Sequence, residues 1–318
     1  MTKRTSGSDG AKKAPLPGGS NKDIDNAAKP NAGGRASKQP EAGLYLVATP
    51  IGNARDITLR ALDVLGLCHV IACEDTRVTA KLLALHGIHR PLLSYHEHNA
   101  ERMRPKIIER LKQGEIVALV SDAGTPLISD PGYRLVRAVT EAGLFVTHLP
   151  GASSVLTGLV LSGLPSDRFL FAGFPPPKSG KRLSLFEQLK TVPASLVFLE
   201  STRRLAKSLA DMAAVFGPRQ AATGRELTKM FEEMRRGPLD ELAAHYSDSG
   251  APKGEVVVVV APPSDDESAL SDAAVDALLT DTLKTLSVRG AASQVAELTG
   301  RTKRDLYNRA LVISGKKK

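Results

Sequence analysis

The feature that most constrains the fold is a regular alternation of short apolar runs and amphipathic segments between residues 44 and 149. Each pair of runs is separated by a segment with helical periodicity. The apolar runs themselves read LYLVATP, HVIAC, EIVALV and LFVTHLP. Strands buried on both faces have this near-continuous apolar character, and parallel strands need helical crossovers between them. The pattern therefore predicts an α/β domain with a parallel sheet covered by helices.

The rest of the chain divides by composition into further predicted units. Residues 1–42 contain no aromatic residue and no apolar periodicity, which predicts a disordered, basic extension. The parallel-sheet domain is expected to span 43–163. A second α/β domain with a shorter, less regular alternation, and hence a mixed sheet, is expected over 164–263. After a polar linker, residues 268–318 predict a helical, helix-turn-helix-like domain.

The net charge of +9 is concentrated at the two ends of the chain. Residues 1–42 and 268–318 each carry +4, which leaves only +1 for residues 43–267. Basic ends on a near-neutral body are typical of nucleic-acid-facing appendages, although they also aid solubility. The chain has no apolar stretch of membrane-spanning length and no apolar N-terminal segment, so we expect a cytoplasmic protein.

The two cysteines indicate the redox state of the cellular compartment. Cys68 and Cys73 lie five residues apart in one predicted strand, where their side chains would point to opposite faces and would not bridge. We therefore expect two buried free thiols, as in a reducing compartment.

Several familiar ligand motifs are incomplete. In the segment PPPKSGKR, Gly173 and Gly180 are seven residues apart and Arg182 replaces the hydroxyl residue of a phosphate loop. No GxGxxG sequence follows a predicted strand, so a dinucleotide site is not indicated. His96 and His98 lack a further spaced set of ligands, and no metal is predicted.

The loops that follow the predicted strands are polar and rich in Gly and Pro. Their sequences are TPIGN (49–53), EDTR (74–77), YHEHN (95–99), SDAGTPLISDPG (121–132) and LPGASS (149–154). Ligands of open α/β sheets bind outside the carboxyl ends of the strands, so these loops should line one site. A carboxylate such as Asp122, placed where a phosphate would lie, indicates a ligand with positive charge or many hydrogen-bond donors.

Residues 291–313 have the pattern of two short helices joined at Gly300. The predicted shared apolar face consists of Ala292, Val295, Ala296, Leu306, Ala310 and Leu311. The predicted exposed basic face consists of Arg301, Lys303, Arg304 and Arg309. A nucleic-acid-binding helix-turn-helix and a small helical cap with solvated charges both fit this pattern.

Taken in order, these motifs resemble the tetrapyrrole methylase superfamily, and within it the enzymes that methylate ribosomal RNA. The resemblance covers about residues 43–314 and rests on LYLVATPIGNARDITLRAL, EDTR, SDAGTPLISDPGYRLV, LPGASS, GLPSDRFLFAGFPP, EST, RELTK and KGE. It implies two α/β domains that bind S-adenosyl-L-methionine in the cleft between them, in a homodimer. It further implies methylation of a cytidine 2'-hydroxyl in the decoding region of 16S ribosomal RNA, on the 30S subunit.

The resemblance also implies a set of site residues. The cofactor is expected at Pro50, Asp122, Gly124, Thr125, Ser153, Ser154, Glu226 and Glu255. We expect Glu74, Asp75 and Arg77 to be catalytic on the acceptor side, because they follow a strand on the rim opposite the cofactor loop. A general base is needed for a ribose hydroxyl, and the sequence leaves it open among Glu74, Asp75, His96, His98, Glu200 and Glu226.

Two other functions stay open at this point. A tetrapyrrole- or diphthine-type methyltransferase would have the same fold with a different acceptor. A non-catalytic RNA-binding protein would retain the fold without the cofactor. The basic, helical C-terminal region favours an RNA acceptor over a small porphyrinoid.

Overall fold

The computed structural model describes residues 40–129, 132–264 and 272–315. The predicted disordered extension lies outside these residues, except for its last three positions. The first sheet has five parallel strands in the order β3-β2-β4-β1-β5. They are β1 (Gly43–Val47), β2 (Val70–Cys73), β3 (Leu92–Ser94), β4 (Ile116–Val120) and β5 (Val146–Leu149). The predicted parallel α/β fold is confirmed.

Alternate residues of the strands supply two separate cores. In β4, Ile116, Ala118 and Val120 pack into one core, while Val117 and Leu119 pack into the other. Four helices surround this sheet: α1 (Leu59–Leu67), α2 (Thr76–Leu85), α3 (Ala100–Lys112) and α4 (Tyr133–Glu141). Burial of both faces explains why the strand sequences are continuously apolar rather than alternating.

The second sheet is mixed, as predicted. Its strands are β6 (Phe169–Gly173), β7 (Ser195–Ser201), β8 (Gln220–Arg225), β9 (Glu233–Pro238) and β10 (Glu255–Val260), in the order β6-β7-β10-β8-β9. Only the β6–β7 pair is parallel among these described strands. The helices that follow them are α6 (Ser179–Leu189), α7 (Leu205–Phe216) and α8 (Leu239–Asp248). Phe186, Phe198 and Phe216 pack together in the core beneath these helices.

Helix α5 (Ser154–Ser162) follows the last strand of the first sheet but packs against the second sheet. Its Val155 and Leu159 share a core with Val257 of β10 and with Ile51 from the loop after β1. The approach is close, since a Cβ at Gly158 would lie 2.6 Å from a methyl carbon of Val257. Helix α5 therefore fixes the first-sheet loops against the second sheet.

Three helices form the C-terminal part: α9 (Asp272–Thr282), α10 (Val288–Thr299) and α11 (Lys303–Ile313). Gly300 ends α10 in the left-handed conformation (φ +68°), which allows the tight turn into α11. The predicted apolar face is buried except for Leu311, which is half-buried. Two of the predicted exposed cations, Arg301 and Arg309, instead form ion pairs with α9. None of the described helices is both long and apolar enough to cross a membrane.

Both cysteines are buried free thiols, as predicted. The prediction of opposite faces is wrong, because Cys68 ends α1 instead of lying in a strand. Cys68 and Cys73 consequently pack into the same core. Burial is the main cause that raises the pKa of the Cys68 thiol, to about 11.

Candidate active site

A cleft of about 720 Å³ lies between the loops at the carboxyl ends of the first sheet and the strand ends of the second. From the first sheet it is lined by Ile51, Asp122, Ala123, Ile128, Ser129 and Ser154. From the second part it is lined by Phe174, Leu199, Glu200, Ser201, Thr202, Arg203, Leu227, Gly254, Glu255, Val256 and Val257. This volume lies within the usual range for a small-molecule site.

The rim of the first sheet is held together by hydrogen bonds between its loops. Thr49 and Gly124 exchange backbone hydrogen bonds of 2.9 and 3.0 Å, and the Thr49 hydroxyl donates to the Ser121 carbonyl at 3.1 Å. The Thr125 hydroxyl donates to the carbonyl of Ala152 at 3.1 Å. The loops after β1, β4 and β5 thus form one connected surface.

The predicted cofactor residues of the first sheet all lie on this surface. Asp122 and Ser154 line the cleft itself. Gly124 is buried against Ile51, and Pro50 is half-buried beside that residue. Ser153 is the N-cap of α5, where its hydroxyl accepts from the Leu156 amide at 3.4 Å. The residues predicted from the loop motifs thus lie together in the structure, but only Asp122 and Ser154 of them line the cleft.

Asp122 connects this surface to the loop after β2. One oxygen of its carboxylate, Oδ1, accepts a hydrogen bond from the Asp75 amide at 3.0 Å. The other oxygen makes no hydrogen bond with the described residues, although the side chain lines the cleft. One acceptor is thus available to a hydrogen-bond donor on a ligand.

The loop that holds the three residues predicted to be catalytic meets Asp122 through Asp75 instead of lying on an opposite rim, but none of the three is among the described lining residues of the cleft. The Asp75 carboxylate caps α2 through the Arg77 amide at 2.8 Å and forms an ion pair with the Arg77 guanidinium at 2.6 Å. Hydrogen bonds from Arg77 lower the pKa of Asp75 to about 2, which makes it a weak base. Glu74 is exposed and forms no ion pair with the described residues.

On the second sheet, Glu226 and Glu255 are brought together at the ends of β8 and β10. The Glu226 carboxylate accepts from Lys229 Nζ at 2.9 Å and from the Glu255 amide at 3.1 Å. The hydrogen bond from Lys229 is the main cause that lowers the pKa of Glu226. Gly254 makes this arrangement possible, since a Cβ there would lie 2.0 Å from Glu226 Oε1. Glu255 lines the cleft, whereas Glu226 is not among its described lining residues and contacts the cleft through the Glu255 backbone.

A direct contact joins the two sides of the cleft. The Asn53 amide donates to the Thr228 hydroxyl at 3.1 Å. Gly52 lies so close that a Cβ there would be 2.4 Å from Lys229 Cγ and 2.9 Å from the Leu227 carbonyl oxygen. Glu226 and Thr228 both have positive φ (+49° and +64°), a strained conformation for residues other than glycine. The loop after β8 is thus bent to meet the loop after β1.

Glu200 lines the cleft but is fully engaged by the protein. It is 2% exposed and accepts from the Ser201 amide at 2.6 Å, from Arg204 at 2.7 Å and from the Ser208 hydroxyl. These donors occupy its oxygens, so the geometry favours a structural role at the end of β7 over that of a base.

Sequence reasoning missed most of the apolar lining. The missed residues include Ile51, Ile128, Phe174, Leu199, Leu227 and Val257. Phe174 is the one with a usable sequence signal, because it directly follows the apolar run of a strand and precedes three prolines; the structure leaves it 53% exposed. The described residues contain no group of three His, Cys, Asp or Glu side chains suited to a metal.

The cleft is therefore suited to an amphipathic ligand. Apolar side chains provide most of its wall, carboxylates and hydroxyls line the rest, and Arg203 is the one cation among its described lining residues. Such a site fits a ligand that has an apolar or aromatic body, several donors and positive charge, without a phosphate.

Comparison with known proteins identifies similar chains. Residues 43–243 match the family model described as Tetrapyrrole (Corrin/Porphyrin) Methylases, and residues 269–314 match the RsmI C-terminal HTH domain. Ribosomal RNA small subunit methyltransferase I of Mesorhizobium japonicum is 54% identical over 86% of this chain and 92% of its own. The protein of the same name from Pseudomonas aeruginosa is 46% identical over 86% and 98%. A crystal structure of diphthine synthase, 16% identical, has the same fold (TM-score 0.53, covering 69% of this chain and 89% of that one).

Proposed function

Because this chain belongs to the tetrapyrrole methylases, within the family of ribosomal RNA small subunit methyltransferase I, we propose that it methylates a cytidine of 16S ribosomal RNA. The acceptor is the ribose 2'-hydroxyl in the decoding region of the 30S subunit, and the methyl donor is S-adenosyl-L-methionine. The observation that carries the proposal is the cleft, which has a free carboxylate oxygen at Asp122 and an apolar wall instead of a phosphate cradle.

The chemistry of the cleft fits this cofactor. S-adenosyl-L-methionine carries an ammonium, a sulfonium and two ribose hydroxyls, and it supplies an electrophilic methyl group. We assign Asp122 and Glu255 to accept hydrogen bonds from its donors, and Ser154 to bond its polar atoms. Pro50, Gly124, Thr125 and Ser153 shape the first-sheet rim.

Glu226 contributes to this cofactor site indirectly. It holds the backbone of Glu255 through the 3.1 Å hydrogen bond from the Glu255 amide. Leu227, Val256 and Val257 give an apolar surface on the same side of the cleft, suited to the adenine ring. The second sheet thus supplies both a carboxylate and an apolar wall to the proposed site.

The acceptor side is assigned to the loop after β2. Methyl transfer requires the 2'-oxygen to lie in line with the methyl carbon, and the hydroxyl must lose its proton. Glu74 is the proposed base, because it is the carboxylate of this loop that forms no ion pair with the described residues, and it directly precedes Asp75, whose amide donates to Asp122. Asp75 and Arg77 are assigned to ordering this loop, through the cap on α2 and the hydrogen bond from the Asp75 amide to Asp122.

The assembly and the location are part of the proposal and rest on the proposed substrate. We propose a cytoplasmic homodimer that acts on the 30S subunit. The proposed division of the chain into a first α/β domain (43–163), a second (164–263) and a helical domain (268–318) assigns the cleft to the first two.

A methyl-transfer assay with alternative acceptors tests the proposal. The full chain is incubated with methyl-labelled S-adenosyl-L-methionine and either 30S subunits lacking the modification or a porphyrinoid precursor. We expect label in 16S ribosomal RNA and none in the porphyrinoid. Label in the porphyrinoid alone would support the tetrapyrrole alternative, and the absence of cofactor binding in calorimetry would support a non-catalytic RNA-binding protein.

Two conservative variants separate the roles assigned to Glu74 and Asp75. Glu74→Gln removes the proposed base, so the single-turnover rate should fall by about 10²-fold or more with unchanged cofactor affinity. Asp75→Asn keeps an N-cap oxygen and should retain a larger share of the rate. Equal rates for wild type and Glu74→Gln would remove Glu74 from the mechanism.

A further inference from the structure

The C-terminal helices separate their charges onto different surfaces. Their described part, residues 272–315, carries six basic and five acidic side chains. Arg301 donates to Asp272 at 2.6 Å, and Arg309 forms a bidentate pair with Asp276. These ion pairs connect α9 to α11 and to the turn before it, and they neutralise two of the six cations.

A third cation is also paired, at the end of α9. Lys284 lies 3.0 Å from the Asp281 carboxylate, and both side chains are well exposed. The remaining cations are Arg289 of α10 and Lys303 and Arg304 of α11. All three are exposed, and none forms an ion pair with a described residue.

These three cations line one groove, of about 460 Å³, between α10 and α11. The rest of its lining is Ala292, Ser293 and Tyr307, so none of the described residues that line the groove is acidic. Tyr307 is 40% exposed. The nearest acid in sequence, Asp305, accepts a hydrogen bond from the Thr302 hydroxyl at 2.5 Å. The described part of this domain, with a net charge of only +1, thus presents a concave surface whose charged lining residues are all basic and which includes an aromatic ring.

This combination fits an RNA strand. Unpaired cations in a groove bind successive phosphates, and aromatic rings stack on unpaired bases, which is how single-stranded RNA is commonly held. We propose that the groove between α10 and α11 binds single-stranded RNA, with Arg289, Lys303 and Arg304 on phosphates and Tyr307 against a base. The choice of RNA as the bound polymer rests on the proposed function. The basic charge of the groove is observed independently of that function.

Fluorescence anisotropy of the full chain with a short labelled single-stranded RNA of the decoding-region sequence tests the groove. The test variant is Arg289→Gln/Lys303→Gln/Arg304→Gln. The matched control, Lys112→Gln/Lys190→Gln/Lys284→Gln, removes the same number of charges from exposed positions outside the groove. Circular dichroism melting verifies that both variants fold.

The salt dependence gives the expected magnitude. Loss of three phosphate contacts should reduce the slope of log K against log salt by about 2, given a slope of about 0.7 per contact on single strands. Between about 50 and 200 mM salt, wild type and control should therefore lose roughly 20-fold more affinity than the groove variant. Tyr307→Leu should weaken binding by about fivefold or more with an unchanged slope.

The outcomes distinguish this proposal from the proposed function. An equal slope and affinity for the groove variant and the control would overturn the groove, even if wild type methylates 30S subunits. Displacement of the RNA by an equal concentration of DNA duplex would overturn the assignment to single-stranded RNA. Absence of methyl transfer by wild type would contradict the proposed function alone, because the anisotropy assay needs no cofactor.

Discussion

Replacing Gly254 by alanine tests how the second sheet shapes the cleft. Gly254 has φ +101°, and an added Cβ would lie 2.0 Å from Glu226 Oε1. The substitution therefore has two costs, backbone strain and displacement of Glu226. Gly250→Ala is a matched control, since Gly250 also has positive φ (+78°) but has nothing within 4 Å of an added Cβ.

The hydrogen bonds of Glu226 determine how much the two variants should differ in free energy of unfolding. Backbone strain costs each variant about 1–2 kcal/mol. Displaced Glu226 also loses its bonds to Lys229 Nζ (2.9 Å) and to the Glu255 amide (3.1 Å). The hydrogen bond from the Glu255 amide to the carboxylate contributes about 1.5–3 kcal/mol, and the partly exposed pair with Lys229 adds up to about 1 kcal/mol, so Gly254→Ala should be less stable than Gly250→Ala by about 1.5–4 kcal/mol. The corresponding difference in Tm is roughly 3–16 °C.

Thermal unfolding and cofactor calorimetry on the full chain measure both effects. We expect Gly250→Ala to bind S-adenosyl-L-methionine as wild type does, and Gly254→Ala to bind it more weakly, because Glu255 lines the cleft beside the displaced carboxylate. Equal Tm values for the two variants would show that Glu226 is not held as described. Equal cofactor affinities would remove the second-sheet carboxylates from the cofactor site.

Three further predictions concern the loop after β2, the helical domain and a buried thiol. The folded pKa of Asp75 is lowered to about 2 from 3.8, so its pairing with Arg77 stabilises the fold above about pH 4 and is lost as pH falls. The difference in unfolding midpoint between wild type and Asp75→Asn should accordingly be constant above that pH and vanish near pH 2; a constant difference throughout would contradict the assignment. Arg309→Gln should destabilise the helical domain by breaking its pairs with Asp272 and Asp276, and faster hydrogen exchange confined to α9–α11 would show it. Cys68, buried with its pKa raised to about 11, should react with a thiol reagent at pH 8 only as fast as the chain unfolds, and rapid labelling of the native protein would contradict its burial.

The architecture could be predicted because its signals are local. Continuous apolar runs report burial on both faces, as in β4, and Gly and Pro mark the turns after the strands. The polar rim loops, and Asp122 in particular, could be expected at a ligand site because carboxyl ends of parallel strands meet at one edge. Each of these inferences needs only a short stretch of sequence.

The neighbours of each loop could not be predicted, because they depend on sheet order. The order β3-β2-β4-β1-β5 makes β2 adjacent to β4, and this adjacency brings the Asp75 amide to Asp122. The sequence motifs instead predict these residues on opposite rims. Sequence order alone does not reveal which strands pair, so the contact between Asp75 and Asp122 could not be predicted.

Long-range partners also explain the errors in the helical domain. Arg301 and Arg309 looked like solvent-facing cations in the pattern of residues 291–313. Their acidic partners, Asp272 and Asp276, lie on α9, 29 and 33 residues earlier in the chain, with the whole of α10 between them. The apolar lining of the cleft was missed for a related reason, since residues such as Ile51 and Leu227 are indistinguishable in sequence from core residues.

The central claim, methylation of a ribose hydroxyl, is tested most directly by mass mapping of 16S ribosomal RNA. Unmodified 30S subunits are incubated with the full chain and S-adenosyl-L-methionine, and the RNA is then digested to fragments and nucleosides. We expect one added methyl group, on the 2'-oxygen of a cytidine in the decoding region, and none with Asp122→Ala. An unmodified RNA, or a methyl group on a base, would contradict the claim.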